Sequence, residues 1–382
     1  MPAKRKLKKP RRDFPLFWHS AGQWCKKVRG KFYYFGTDAE QAESKYNREI
    51  EDLRAGMITN RTHATGLTVR GAVNLYLTSM KNRLDIGKLS PRSFKDYYAA
   101  GEMLVEHFAD ARVIDLRPKD FESFQSKLAK TMKPVTLGNA TLRTRIIFTW
   151  AFKNEHIDRP PRYGTSFQMP NAKERRRAKR EGGKRTFEAE ELRTIIQTAR
   201  QPLRSMVLLA LNGGLGQSDL AAIPIDAIDF KAGMVDFPRV KTETDRRFPL
   251  WPETSVSLQE AINVRPDPQD SSHAKLVFIT VQGRPWVRHV MQDDGRIAFT
   301  DAIAQEFNKV LRKLNLKRRG SFYNLRHCFR TVADAVKDQP AIDAIMGHVD
   351  QTMGGNYRES IETSRLKSIV DYVRHWLWPE KK

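Results

Sequence analysis

The chain has 382 residues, and its 68 Lys and Arg outnumber its 44 Asp and Glu, which gives a net charge of +24 at pH 7. Charged residues make up 29% of the sequence, and no apolar stretch approaches the ~20 residues of a membrane-spanning helix, which excludes a membrane protein. The apolar content of 40% excludes a wholly disordered chain. Two cysteines, Cys25 and Cys328, are too few for a disulfide framework and favour a reducing, intracellular location.

The positive charge predicts a polyanionic partner, because so large a net charge raises the self-repulsion of the folded chain. Nucleic acid is the first candidate, and an anionic membrane surface is the alternative. Basic residues concentrate in three separate runs, at 4–12, 173–185 and 309–319. Membrane binding favours one basic amphipathic helix instead, so this distribution predicts DNA or RNA as the partner and no membrane.

The first predicted elements follow a basic tail over 1–13. Turn signals at Gly22 and Gly30 separate short aromatic and β-branched runs, which predicts a small antiparallel sheet. Asp38 can then cap a helix that ends near Leu53. A lysine-rich sheet followed by a helix is typical either of a DNA-binding module or of a small structural domain, and composition does not separate the two.

From Thr68 onward the apolar residues take helical spacing, with Thr68 as the predicted N-cap. Further helices are predicted over 91–108, 118–128 and 136–154, which together predict an all-α domain. Residues 161–184 lack periodicity and are rich in Pro, Gly and charge, so they predict an extended basic linker. Its basic side chains are dense enough to follow a phosphate backbone: Arg175, Arg176, Arg177, Lys179 and Arg180.

The last segment mixes predicted helices with strands. Thr186 is a predicted helix cap, and 206–211 is a buried helical run. Residues 234–238 and 247–250 predict a β-hairpin, and an amphipathic helix begins at Thr300 or Asp301. The apolar stretch 361–378 near the end either packs on its own core or is exchanged with a neighbouring molecule.

Two motifs in this segment resemble boxes of the tyrosine recombinase (phage integrase) family. The sequence FYNLRHCFR resembles the second-arginine box, H-x-x-R-H, with Arg326 at the arginine. Gly347-His348, followed nine residues later by Tyr357, resembles the Gly-His…Tyr box. Order and spacing agree with the family over roughly 185–375.

The resemblance implies a multidomain fold in three parts. A small α+β module over 14–60 would bind arm-type DNA sites. An all-α, SAM-like core-binding domain would occupy 66–160, with the basic linker over 161–184. A catalytic domain of mixed α+β, mainly α, structure would occupy 185–382.

The family's chemistry is phosphoryl transfer without a metal or another cofactor. Tyr357 would attack a DNA phosphate and leave a 3′-phosphotyrosine and a free 5′-hydroxyl. Arg326 would bind the phosphate, because the guanidinium fork matches two phosphate oxygens. Lys241 matches the family's β-hairpin lysine and would protonate the departing 5′-oxygen. His348 would hydrogen-bond the phosphate or help move a proton.

Two positions depart from the family pattern. The first box, Thr-Gly-x-Arg-x-x-Glu-Leu in the family, has Gly216 in place of its arginine. Tyr323 stands where the second box has histidine, and its phenol can still donate a hydrogen bond to a phosphate oxygen. Losing one donor that stabilises developing charge typically costs about 10²–10³ in rate.

The missing arginine leaves two interpretations open: another cation replaces it, or the protein binds DNA and cuts it poorly or not at all. Backbone N–H groups at Gly214 and Gly216 are a further source of donors. The side chains that qualify as replacements are Arg204, Lys231, Arg246, Arg247 and Arg318.

Each site residue also has a structural alternative. Arg326 would serve in a salt bridge with Asp334 or Asp343, His348 as a helix cap, Tyr357 as a half-buried packing residue and Lys241 as a solvated hairpin residue. Taken singly, the structural role wins for Lys241 and is even with function for His348. Taken together in family order, an active site is the better interpretation.

Three functions follow from these features. The first is an active site-specific recombinase or integrase of a mobile element, favoured because four family residues are retained. The second is a catalytically weakened or inactive DNA-binding relative with an accessory or regulatory role. The third, a relaxing topoisomerase, fits less well, because relaxation needs no second DNA site.

The expected partners are double-stranded DNA, further copies of the chain as a homotetramer on paired sites, and DNA-bending accessory proteins. No cofactor and no metal site are predicted. Arg318 and Arg319 are predicted DNA contacts. The expected location is the bacterial cytoplasm, at the nucleoid, for a protein encoded by a bacterium or a phage.

Overall fold

The computed structural model describes most of the chain, in seven ranges: 9–19, 22–28, 30–55, 66–183, 186–316, 320–349 and 360–379. Tyr357, Arg318 and Arg319 lie outside the described residues, so the predictions made for them stay predictions. Within the described ranges, no helix has the length and apolar character needed to cross a membrane.

The chain divides into two compact units. The first comprises Met1–Tyr76, Gly101–Phe124 and Thr144–Phe167, and the second Leu77–Ala100, Gln125–Arg143 and Gln168–Lys382.

The N-terminal module is a three-stranded antiparallel sheet followed by a helix, as predicted. Its elements are β1 (Phe17–Trp18), β2 (Trp24–Val28), β3 (Lys31–Gly36) and α1 (Ala39–Ala55), with the strands paired in chain order. Asp38 caps α1, because its carboxylate accepts a hydrogen bond from the Gln41 N–H at 2.9 Å. The sheet and helix enclose a small core made of Phe14, Leu16, Trp24, Val28, Phe35, Ala42 and Tyr46.

The predicted all-α region is confirmed. Its helices are α2 (Val69–Asp85), α3 (Pro91–Phe108), α4 (Pro118–Ala129) and α5 (Pro134–Lys153). Thr68 caps α2 by accepting the Gly71 N–H at 3.1 Å. The other three helices each begin with proline, whose missing N–H costs nothing at the first helical position. Within the first unit, this region buries a cluster of aromatic rings: Phe108, Phe121, Phe124, Phe148 and Phe167.

The prediction of an extended linker is wrong over Ala172–Glu181, which form helix α6. Asn171 and Glu174 form a capping box, in which each side chain accepts the other's backbone N–H at 2.9 Å. None of the residues of α6 is buried, so apolar periodicity could give no signal for it. The five basic residues predicted to contact DNA are exposed on this helix.

The remaining chain is mainly helical, as predicted. Its helices are α7 (Ala189–Thr198), α8 (Leu203–Gly213), α9 (Gln217–Ala222), α10 (Pro252–Asn263), α11 (Ala302–Lys313), α12 (Asn324–Ala333), α13 (Gln339–Met346) and α14 (Thr363–Leu377). One antiparallel sheet contains β4 (Ile228–Asp229), β5 (Met234–Asp236) and β6 (Arg247–Pro249), and a separate hairpin contains β7 (Val287–Met291) and β8 (Ile297–Asp301).

Three details of this segment refine the predictions. The cap of α7 is Glu188 rather than Thr186. Asp301 caps α11 by accepting the Ala304 N–H at 2.8 Å. The hairpin of β7 and β8 had no predicted counterpart.

Helix α8 lies at the centre of the second core. Nearly all its residues are buried, and Phe248 of β6 packs so closely that a Cβ on Gly213 would overlap its ring. Helix α14 buries its apolar stripe in the same core, and Trp251 donates to the Val370 carbonyl at 2.8 Å. Of the two alternatives for the terminal stretch, the chain therefore shows packing on its own core.

Candidate active site

The candidate site lies where the C-terminal ends of α8 and α13 meet the first turn of α12. Helix α8 is followed by Gly214 and helix α13 by Gly347, both in the left-handed conformation with φ of 64° and 62°. Each glycine turns the chain sharply, which leaves the last carbonyls of its helix facing a common point. Arg326, the third residue of α12, occupies that point.

Arg326 is only 3% exposed and joins the two helix ends. Its Nη1 donates to the Gly214 carbonyl, and its Nη2 donates to the Met346 carbonyl at 2.9 Å. A cation is favoured there, because the C-terminal end of a helix carries partial negative charge. The salt bridges considered for Arg326 belong instead to Arg330, whose guanidinium lies 3.0 Å from Asp334 and 3.5 Å from Asp343.

Burial lowers the pKa of Arg326 to about 10, and the nearby positive charge of Arg239 adds to the shift. The negative charge of Asp219 acts in the opposite direction. Even so, the pKa remains far above neutral pH, so the side chain carries its charge under ordinary conditions. A buried, fixed guanidinium of this kind is suited to binding a phosphate group.

His348 follows Gly347 and completes the contacts of Arg326. The Nη2 of Arg326 lies 2.9 Å from Nε2 of His348, and Nδ1 of His348 lies 3.0 Å from an Asp343 oxygen. Because a guanidinium can only donate, Nε2 must be the acceptor, and the carboxylate requires the proton on Nδ1. His348 is therefore held as the neutral Nδ1–H tautomer.

Burial lowers the pKa of His348 below its ordinary value of 6.5, while the Asp343 carboxylate acts to raise it. Folding thus opposes protonation, so this group destabilises the fold at acid pH and ceases to do so as pH rises through 6.5. We expect the His348 imidazole to titrate below 6.5 in NMR spectra. The variant Asp343→Asn should titrate lower still. A midpoint above the ordinary value, or an upward shift in Asp343→Asn, would contradict this assignment.

Arg239 reaches the site from the connection between β5 and β6, and sequence reasoning missed it. Its Nη1 lies 3.5 Å from the Gly347 carbonyl, next to His348. A Cβ placed on Gly347 would lie 2.8 Å from the Cβ of Arg239, so the absence of a side chain permits this close approach. No sequence motif marks Arg239, because its contact spans 108 positions of the chain.

Gly347 is needed both for its left-handed φ and for the approach of Arg239. We expect Gly347→Ala to lower the free energy of unfolding in urea by more than the matched variant Gly233→Ala. Gly233 has a φ of 64° and no atom within 4 Å of the point that a Cβ would occupy, so it reports the conformational cost of about 1–2 kcal/mol alone. Equal losses in the two variants would show that Arg239 does not press on Gly347.

Lys241 lies on the turn that begins at Arg239. The turn is closed by a backbone bridge between Arg239 and Thr244, and the Thr242 hydroxyl lies 3.4 Å from the Gly347 carbonyl. Lys241 itself is exposed. The hairpin thus brings the backbone beside Lys241 against the site, while the lysine side chain remains in solvent.

Gly216, predicted to stand at the first-box arginine position, caps α9 opposite Tyr323. A Cβ on Gly216 would lie 3.6 Å from the ring of Tyr323, which is 43% exposed. The Gly216 N–H donates to the Asp219 carboxylate at 3.0 Å. The prediction that this N–H serves as a free donor is therefore wrong.

Arg246 enters the same corner from the start of β6. It is 1% exposed, and its Nη1 lies 3.2 Å from Oδ2 of Asp219. Its Nε donates to the Phe237 carbonyl at 3.1 Å, its Nη1 pairs with the Asp219 carboxylate, and its Nη2 has no hydrogen-bond acceptor among the described residues. Burial lowers the pKa of Arg246, and the Asp219 carboxylate opposes this shift.

The other predicted replacements lie elsewhere or outside the described residues. Arg204 lies in the first turn of α8, at the opposite end from Gly214, and donates to the Ala199 carbonyl at 3.1 Å. Lys231 is exposed in the turn between β4 and β5, and Arg247 is exposed on β6. Arg318 lies in a range that is not described. Among the described candidates, Arg246 is therefore the one that contacts the first box, through Asp219.

Comparison with known proteins gives a match to one family model and to several solved folds. Residues 185–363 match the model of the phage integrase family. No curated protein matches the chain.

Several solved structures share the fold at low sequence identity. A lambda integrase dimer bound to a COC′ core site has a TM-score of 0.56 and 16% identity, over 92% of this chain and 99% of that one. A lambda integrase tetramer bound to a Holliday junction gives 0.55 and 16%, with the same coverage. A Tn1549 transposon integrase in complex with a circular intermediate DNA gives 0.55 and 16%, over 80% of this chain and 99% of that one.

Proposed function

We propose that this chain, whose residues 185–363 match the phage integrase family model, is a site-specific DNA recombinase that acts through Tyr357. The observation that carries the proposal is the contact at 2.9 Å between buried Arg326 and half-buried His348. The turn that carries Lys241 packs against the backbone beside them. The site is cationic and preorganised, and no carboxylate of the described residues pairs with Arg326. Phosphoryl transfer requires such a site to stabilise the charge on the phosphate.

The reaction needs no oxidant and no external energy. The phenol oxygen of Tyr357 forms a bond to the scissile phosphorus, and the bond from phosphorus to the 5′-oxygen breaks. The phenol proton is released to solvent, the 5′-oxygen takes a proton from Lys241, and solvent restores Lys241. Arg326 neutralises the phosphate oxygens in the transition state, where its charge has the greatest value. Attack by a 5′-hydroxyl on the phosphotyrosine reverses these steps and rejoins the strand.

DNA binding outside the site rests on the basic surfaces. Helix α6 presents its arginines and lysines to solvent, with little to pair them apart from the contact of Arg177 with Glu181 at 2.9 Å. These side chains would follow the phosphate backbone, and affinity should fall steeply with salt. We extend the proposal to a homotetramer on paired DNA sites, with DNA-bending proteins as partners, because the similar structures contain DNA with two or four integrase copies.

The alternative function is a DNA-binding relative that has lost cleavage. Gly216 favours it, because a family member normally has arginine there. The two functions differ in one observable property, the covalent bond between protein and DNA.

The experiment is covalent capture on suicide duplexes. Each duplex carries a nick a few nucleotides 3′ of a candidate cleavage point, so that the short cleaved strand diffuses away and traps the adduct. One set covers the genomic junctions that flank the gene, and a second set is randomised in sequence. Adducts are scored by gel electrophoresis in SDS, and binding by mobility shift.

We expect an SDS-resistant adduct from the wild type and none from Tyr357→Phe, which keeps the ring and loses the nucleophile. Both proteins should bind the duplexes equally well. Intact binding without an adduct from either protein would favour the accessory function instead.

A further inference from the structure

The first box lacks the positive charge that its usual arginine would place beside the phosphate. Gly216 offers no side chain, and its N–H is already bonded to Asp219. Tyr323 lines the same corner, but a phenol cannot supply positive charge. A phosphate bound to Arg326 would therefore need a second cation from another element.

Arg246 is the nearer candidate by contact but is poorly placed for DNA. Its guanidinium is buried, and the Asp219 carboxylate beside it offsets its charge. Because the Asp219 carboxylate already offsets its charge, Arg246 adds little net positive charge for a phosphate. Its role is better described as holding Asp219 and the start of α9 in place.

Arg239 is better placed than Arg246 to bind a phosphate. It is half-buried rather than enclosed, and its Nη1 lies 3.5 Å from the Gly347 carbonyl, one residue from His348. Its positive charge acts on Arg326, Arg246 and His348, lowering the pKa of each. Its Nη1 contacts Gly347, which lies between His348 and Met346, whose carbonyl Arg326 binds, so the geometry brings Arg239 to the same loop as both groups.

The cluster of Arg239, Arg246 and Arg326 is poorly balanced by negative charge. Asp219 is paired with Arg246, and Asp343 lies against His348 and Arg330. Like charges held together cost free energy, which an arriving anion would recover. No carboxylate of the described residues forms a salt bridge with Arg239 or Arg326, and two such guanidinium groups suit the binding of a phosphodiester.

We propose that Arg239 binds the scissile phosphate together with Arg326 and supplies the positive charge that Gly216 lacks. This inference rests on the proposed function. The β5–β6 connection would then contribute two residues to the reaction, Arg239 at the phosphate and Lys241 at the leaving oxygen.

The geometry of Gly216 provides a rescue test. Its φ of −94° and ψ of 171° are extended values that any residue adopts. A Cβ there would meet the Tyr323 ring at 3.6 Å and Asp219 at 3.7 Å, which are ordinary contacts. A Cβ at this position is therefore tolerated, and Gly216→Arg tests whether the charge can be restored from the family's usual position.

The first experiment measures the rate of adduct formation on a captured suicide duplex. We expect Arg239→Gln to be slower by about 10²-fold, with the double variant Gly216→Arg/Arg239→Gln recovering most of the rate. Arg200→Gln is the matched control, since it removes an exposed charge at the far end of α8. A wild-type rate in Arg239→Gln would overturn the inference and leave the proposed function intact.

The second experiment does not depend on cleavage. Inorganic phosphate is titrated into the DNA-free protein while the imidazole signals of His348 are followed by NMR. Arg239→Gln should weaken phosphate binding about tenfold or more, because a charge-assisted contact is lost, and Arg200→Gln should not. Equal phosphate affinity in Arg239→Gln and wild type, or no phosphate response in either, would overturn the inference even if no duplex is cleaved.

Discussion

Replacing Asp219 with alanine is expected to lower the free energy of unfolding by about 3–5 kcal/mol, because it leaves a buried charge without its partner. Arg246 is 1% exposed, and Asp219 is the carboxylate beside it, at 3.2 Å. The substitution also removes the acceptor of the Gly216 N–H at 3.0 Å. The measurement is urea unfolding of the full chain at pH 7, followed by tryptophan fluorescence.

Two further variants separate the causes of that loss. Asp219→Asn keeps an oxygen for the Gly216 N–H but removes the charge, so it should lose most of the same stability. The double variant Asp219→Ala/Arg246→Met should recover much of it, since an apolar pair of similar volume replaces a buried ion pair at little cost. A loss below about 1 kcal/mol in Asp219→Ala would mean that Arg246 is solvated rather than buried.

Arg326→Lys is expected to slow adduct formation by about 10³-fold or more, although it formally keeps the charge. A lysine ammonium cannot span the Gly214 and Met346 carbonyls together with Nε2 of His348, and it cannot bind two phosphate oxygens through a planar fork. At least one buried acceptor then loses its donor, at a cost of about 1–3 kcal/mol in stability. The rate is measured on a captured suicide duplex.

Arg265→Lys is the matched control for the structural part of this effect. Arg265 also makes three hydrogen bonds, all to carbonyls of the same unit, those of His273, Ala274 and Leu276, at 3.1, 2.7 and 2.8 Å. It contacts none of the candidate site residues in the described structure. Arg265→Lys should therefore lose comparable stability at an unchanged rate, and a comparable loss of rate in both variants would reduce Arg326 to a structural role.

Local signals in the sequence predicted most of the elements. Helix α3 begins and ends where its pattern predicts, because Pro91 pre-sets the first turn and apolar spacing continues to Phe108. Helix α6 could not be predicted in that way. It buries nothing and depends on the capping box of Asn171 with Glu174 and on the surface pair of Arg177 with Glu181.

Local sequence signals likewise identified only part of the candidate site. Arg326 and His348 could be named from short motifs, and the structure brings them within 2.9 Å of each other. Arg239 could not, because its place beside Gly347 follows from how the hairpin packs on α13. Sequence likewise gives no measure of which of the five candidate cations is buried beside Asp219, which tertiary contacts show to be Arg246.

The most direct test of strand cleavage at Tyr357 is to identify the linkage in the adduct. Wild-type adduct formed in the presence of EDTA is digested, and the nucleotide-bearing peptide is sequenced by mass spectrometry. We expect a nucleotide joined through its 3′-phosphate to Tyr357, together with a released strand that ends in a 5′-hydroxyl. A nucleotide on any other residue, a 5′-phosphate on the released strand, or loss of the adduct in EDTA would contradict the proposed mechanism.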